Sequence, residues 1–179
     1  MGNGTKLMRL MRSACLTLAL LAPCLLAAQP VQEHTIKAAF VYNFVLFTEW
    51  PQDALRPIET VNICVNAAGE MHDALKILNG KSAKGTRVKV LPKNSIDQNL
   101  GQCHVLYIES QDQAQWKAMR STISGKRILT IADNIDLGGA MITLHIHENK
   151  VVFDIDQSGA RNASLTFSSK LLRLARKVK

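Results

Sequence analysis

His145 and His147 are separated by one residue, so on a β-strand their imidazoles share a face and could hold a metal with a third ligand. Ile142, Leu144 and Ile146 form the opposite, apolar set, which makes the histidines the solvated side of a half-buried strand. Ser168-Ser169-Lys170 offers a serine with a lysine base nearby, but neighbouring residues on a helix point in different directions. Asp154 and Asp156 alternate on one strand face beside Arg161, a pattern better suited to anchoring the next helix than to acid–base work. Gly80-Lys81-Ser82 looks like the end of a phosphate-binding loop, yet Leu75 stands where the first glycine belongs and the stretch follows a helix. The chain has no G-x-S-x-G elbow, no H-E-x-x-H pair and no glycine-rich dinucleotide loop after its first strand. These residues point to no catalytic centre, no metal site and no cofactor, and so to a binding or regulatory role.

The compartment follows from the other end of the chain. Lys6, Arg9 and Arg12 precede an apolar run from Ala14 to Ala22, and Leu25-Leu26-Ala27-Ala28 supplies small residues for cleavage. This is the order of a secretory signal peptide, with cleavage expected near Ala28 and a periplasmic domain over residues 29–179. The run is shorter than the roughly 20 residues a membrane span needs. Cys15 and Cys24 leave with the signal, while Cys64 and Cys103 remain as an even pair in an oxidising compartment. A disulfide is the expectation, two buried thiols the alternative. Losing the three bases of the signal lowers the net charge from +8 to +5. Five bases, Lys170, Arg173, Arg176, Lys177 and Lys179, crowd the last ten residues without an acid, so the rest of the domain is neutral. Nothing in that distribution favours nucleic acid. The basic end could meet an anionic membrane or an acidic partner, but its plain reading is a solvated helix face.

The elements that must position these residues read as follows. Strands are expected at 61–65, 87–91, 103–108 and 127–131, with helices at 71–78 and 113–123 between them. Asn79-Gly80 should stop the first of those helices in a left-handed turn. Strand–helix–strand repetition implies parallel pairing with right-handed crossovers. The fold class is therefore α/β, a mostly parallel sheet in the order 2-1-3-4 with helices on both faces. A C-terminal β-hairpin, 141–147 and 151–156 around Glu148-Asn149-Lys150, extends it. Strand neighbours one and three carry Cys64 and Cys103, which brings them within bridging range. A final helix should bury Phe167, Leu171, Leu174 and Val178 on one stripe.

The helix beginning near Thr35 places Ile36, Ala39, Phe40, Asn43, Phe44 and Phe47 at helical spacing, while Val41, Val45 and Leu46 make its other side apolar too. Trp50-Pro51 should end it. More apolar surface than one core face requires suggests an interface with a partner, or a homodimer seam, involving Val41, Val45, Glu49 and Trp50.

Glu33-x-x-Ile36-Lys37-Ala38-Ala39-Phe40-Val41-Tyr42-Asn43-Phe44, closing on Phe47-Thr48-Glu49-Trp50-Pro51, resembles the opening of the YfiR-like periplasmic proteins. The likeness continues through Cys64, Cys103-His104-Val105-Leu106-Tyr107-Ile108, Leu129-Thr130-Ile131, Gly138-Gly139, Val152-Phe153-Asp154-Ile155, Ala160-Arg161 and Ser168-Ser169-Lys170-Leu171-Leu172-Arg173-Leu174-Ala175. It spans the mature chain in order. The resemblance implies a soluble α/β regulator that inhibits a membrane-bound diguanylate cyclase through its periplasmic domain. In that family an outer-membrane lipoprotein can sequester the inhibitor, redox state can affect its stability, and envelope stress is linked to cyclic-di-GMP, biofilm and motility. Two departures stand out. A second cysteine pair that some members carry near the late hairpin is missing, and Thr143 and Asp156 occupy positions where the family often has Asn. The alternative from a different class is a periplasmic small-ligand-binding module, with its site at the open ends of the parallel strands.

Overall fold

Alternation in the strands divides the apolar side chains between two faces of one sheet, and each face acquires its own helices. The structure is a computed structural model describing residues 33–51 and 59–179. The expected signal segment, 1–28, lies outside the described residues. Helix α1 (Glu33–Phe47) leads into the two-residue strand β1 (Thr48–Glu49). Strand β2 (Thr60–Asn66), helix α2 (Glu70–Lys76), strands β3 (Ser82–Ala83) and β4 (Thr86–Lys93), then β5 (Val105–Ile108) follow. Helix α3 (Gln113–Ile123), strand β6 (Leu129–Ala132) and the hairpin β7 (Ile142–His147) and β8 (Lys150–Ile155) come next. The chain ends in α4 (Gln157–Asn162), β9 (Thr166–Phe167), α5 (Ser169–Leu174) and β10 (Lys177–Val178).

The main sheet runs β10-β8-β7-β6-β5-β2-β4-β3. Its middle, β4-β2-β5-β6, is parallel throughout and has the second expected strand beside the first, then the third and fourth. The additions lie at the edges. Strand β7 joins β6 in parallel and turns back as the antiparallel β8, through Glu148 and Asn149 at φ 48 and 60. Two consecutive positive φ values fit the twist of a tight hairpin. Short strands β3 and β10, neither of them legible in the sequence, close the two edges. A separate pair, β1 with β9, ends α1 three residues before Trp50 rather than at it.

On one face Val61, Ile63, Val65, Val105, Tyr107, Leu129, Ile131, Leu144, Phe153 and Ile155 pack under α1, α2, α4 and α5. On the other, Cys64, Leu106, Ile108 and Ala132 pack under α3 through Trp116, Met119 and Ile123. Odd and even strand positions thus serve different layers.

Two helices depart from the sequence reading. The side of α1 against the sheet is Lys37, Ala38, Val41, Phe44 and Val45, whereas Ile36, Ala39 and Asn43 face outward. Val41 and Val45 are 0% and 2% exposed, so they belong to the core and present no patch to a partner or a second copy. The final helix is also shorter than expected. Phe167 and Leu171 are buried, but α5 ends at Leu174 and the chain continues as β10, leaving Leu174 and Val178 exposed.

Candidate functional site

In an open parallel sheet a ligand crevice is expected beyond the carboxyl ends of the strands, where neighbouring connections leave in opposite directions. Here that point lies between β2 and β5, whose connections lead to α2 on one face and α3 on the other. Asn66 ends β2, Glu109 follows β5, and Asp133 follows β6. All three carry polar side chains, and α1 brings Lys37 over them.

The crevice is filled by the chain itself. Lys37 is 6% exposed, and its ammonium lies 2.5 Å from Asp133 Oδ1 and also pairs with Glu33 one turn earlier. Burial alone pulls the Lys37 pKa down, but hydrogen bonds and charge from Asp133 and Glu33 more than offset it and hold the ammonium above its usual range. Tyr107 is fully buried beneath it, and burial, with the Asp133 charge beside it, pushes its hydroxyl well above the ordinary tyrosine range. Glu109 Oε1 accepts the Met71 N–H at 3.2 Å, so a carboxylate already sits at the start of α2. A Cβ on Gly69 would come within 1.7 Å of Glu109 Oε2, so that carboxylate is seated against bare backbone. Burial raises the Glu109 pKa, the Met71 N–H opposes the shift, and Asp112 and Asp133 reinforce it. Asp112 accepts from Asn66 Nδ2 at 2.6 Å and from the Glu109 N–H at 3.0 Å. These bonds clasp α1 and α2 to the strand ends, while Glu109 Oε2 is buried among them without a hydrogen-bond partner.

A cleft of about 320 Å³ does open beside the end of α1, lined by Val45, Thr48, Glu49, Trp50, Lys84 and Thr86 among others. Glu49 is exposed and Trp50 half-buried there, with Lys84 Nζ 3.7 Å from Glu49 Oε1. Of the four residues expected at an interface, only these two reach the surface.

Cys64 in β2 and Cys103 just before β5 are joined as a disulfide with Cα atoms 5.7 Å apart. Beside it, His104 Nδ1 accepts the Asn62 N–H at 3.0 Å, and burial lowers its pKa. Asp154, Asp156 and Ser168 have structural work. Asp156 accepts the Gly159 N–H at 2.9 Å and caps α4, as anchoring requires, but Asp154 holds Arg176 through two bonds of 2.9 and 2.5 Å rather than Arg161. Ser168 accepts the Leu171 N–H and caps α5. His147 is exposed and His145 half-buried. Sequence reasoning missed the Lys37–Asp133 pair. A lysine inside an apolar helix stripe, read as a seam position needing a buried acid, was the only signal.

The YfiR/HmsC-like family model matches residues 34–176. No curated protein matches the chain. The crystal structure of a conserved domain protein from Vibrio cholerae shares the fold, with a TM-score of 0.56 at 11% identity, covering 83% of this chain. The chain spans 61% of that protein's length. The Vibrio likeness concerns architecture alone, whereas the family match runs from the second residue of α1 to the residue before β10. The chain belongs to the YfiR/HmsC-like family.

Proposed function

We propose that this protein is a periplasmic regulator that restrains a membrane-bound diguanylate cyclase by contact with its periplasmic domain, without catalysing a reaction. The observation that carries this reading is the family match over residues 34–176. Supporting it, three of the side chains considered for chemistry are engaged in the fold: Asp156 and Ser168 cap helices and Asp154 pairs with Arg176. Against the ligand-binding alternative, Glu109, Asp133 and Lys37 bond within the chain at the strand ends where such a site is expected. Export is assigned to residues 1–28 with cleavage near Ala28, and residues 29–179 form the working domain. Contact with the cyclase is assigned to Glu49 and Trp50 at the rim of the α1 cleft, and an outer-membrane lipoprotein is the partner that would sequester the regulator.

An inhibitor of this kind must bind the inactive cyclase more tightly than the active one, since equal affinity shifts nothing. A tenfold difference, about 1.4 kcal/mol, already biases the equilibrium tenfold at saturation. Deleting the gene should raise cyclic-di-GMP and surface attachment. The full chain should restore both, and a version lacking residues 1–28 should not. Unchanged cyclic-di-GMP in the deletion strain would overturn the reading.

A further inference from the structure

The last ten residues hold five bases and no acid, and the fold decides which of them are free. Arg176 is engaged, gripping Asp154 with two nitrogens. Lys170, Arg173, Lys177 and Lys179 are exposed, and none forms an ion pair among the described residues. Lys170 does rest over the Phe47 ring, 5.2 Å from its centroid. Two bare aliphatic side chains stand at the same edge, Leu174 at 64% exposure and Val178 at 42%, with Val178 in register with Ile155 on one face of β10 and Lys177 and Lys179 on the other. Helix α5 stops after six residues, and β10 lies at the outer edge of the sheet with β8 as its one neighbour.

We infer that this edge, Leu174 and Val178 flanked by Lys170, Arg173, Lys177 and Lys179, docks the protein on an anionic phospholipid bilayer. The chemistry fits lipid better than a protein partner. Lysine is depleted from protein interfaces, whose energetic centres are aromatic residues and arginine in closely fitted pockets, and this edge has lysines and aliphatics on an open strand. At a bilayer, aliphatic tips enter the headgroup boundary while long basic stems reach the phosphates. Arg176 neutralises Asp154, the register partner of Lys177, so of the two acids that share a cleft with Lys177 and Lys179 only Asp156 sets its charge against the four bases. Docking would hold a regulator in the layer where a membrane enzyme's external domain stands, raising its effective concentration there. The inference does not depend on the cyclase, because the bilayer alone is the ligand.

The test is co-sedimentation of the protein, purified from the periplasm, with vesicles of phosphatidylglycerol and phosphatidylcholine in equal parts, against phosphatidylcholine alone. Binding should favour the anionic vesicles at least tenfold and should fall steeply with added salt. Replacing Arg173, Lys177 and Lys179 together by Ala should weaken it about a hundredfold, at roughly fivefold per base. Leu174→Ser should weaken it about tenfold with no change in melting temperature, because the side chain is largely outside the core. Equal binding to both vesicle types, or an unchanged affinity in the triple variant, would overturn the proposal. So would binding to an acidic polypeptide such as polyglutamate with no binding to anionic vesicles, which would assign the edge to a protein partner.

Discussion

Glu109 and Gly69 show how a single position can hold the strand-end crevice shut. The carboxylate needs a neighbour without a side chain, because a Cβ at position 69 would fall 1.7 Å from Oε2 and 2.6 Å from the carboxyl carbon. Gly69 has an ordinary φ of −81, so backbone freedom is not the reason for glycine here, and the cost of a larger residue is steric. Gly69→Ala should therefore expel Glu109 from the Met71 N–H and destabilise the fold by about 1–3 kcal/mol, the range of overpacking. In a Glu109→Ala background the same substitution should cost little, since the obstructing atoms are gone. Urea melts of the four proteins check this, and equal costs in both backgrounds would show that the clash is not the cause. None of this was legible in the sequence. Gly69 and Glu109 are 40 residues apart, and no local pattern marks a glycine that yields space to a distant carboxylate. Lys37 and Asp133 pose the same difficulty over a longer separation, with the added misdirection that a lysine reads as the solvent side of its helix.

At the scale of elements, α1 is the instructive case. Its apolar excess is plain in the sequence, but the buried face is not, because Lys37 interrupts the stripe of Lys37, Ala38, Val41, Phe44 and Val45 that packs on the sheet. Phe44 meets Phe153 of β8 at 4.9 Å between ring centroids, so the helix is seated across the hairpin as well as the parallel strands. Val41→Ser and Val45→Ser should each cost about 3 kcal/mol through lost packing and a buried hydroxyl. Together, about 6 kcal/mol, they match the lower part of the typical domain stability of about 5–15 kcal/mol, so the double variant should be severely destabilised and largely unfolded at 37 °C. Circular dichroism decides it, and a folded double variant with weakened partner binding would return these valines to an interface. The four central strands and the hairpin were legible, because period-two alternation and turn residues are local signals. Strands β1, β3, β9 and β10 were not, since two residues carry no period. The C-terminal helix is shorter than its apolar spacing suggests. Phe167, Leu171, Leu174 and Val178 are spaced for a helix, but pairing with β8 takes the chain from Lys177 onward.

The whole molecule has two layers of unequal build, and the disulfide belongs to the thinner one. Four helices cover the face that contains Ile63 and Tyr107, whereas α3 and adjoining loops cover the face that contains Cys64, Leu106 and Ile108. Trp116 ties that second layer together, its Nε1 donating to the Leu137 and Gly138 carbonyls at 3.1 and 2.8 Å. Cys64–Cys103 closes a separation of 39 residues, for which loop-closure entropy gives an ideal stabilisation of about 4 kcal/mol. Pairing of the two cysteines was legible because compartment and strand order both point to it. Its position within one layer was not, since that depends on which helices lie on each face. Reduction should therefore act unevenly. The segment before β5 and helix α3 should open at lower free energy than α1 and the strands beneath it, because they combine the lost crosslink with the smaller apolar cover. Hydrogen exchange after mild reduction should show deuterium uptake rising first at residues 95–103 and 113–123, with α1 protected until global unfolding. Trp116 emission should shift to the red in the same step. If uptake instead rises uniformly, or first in α1, the crosslink stabilises the molecule as one unit and the two layers are energetically one.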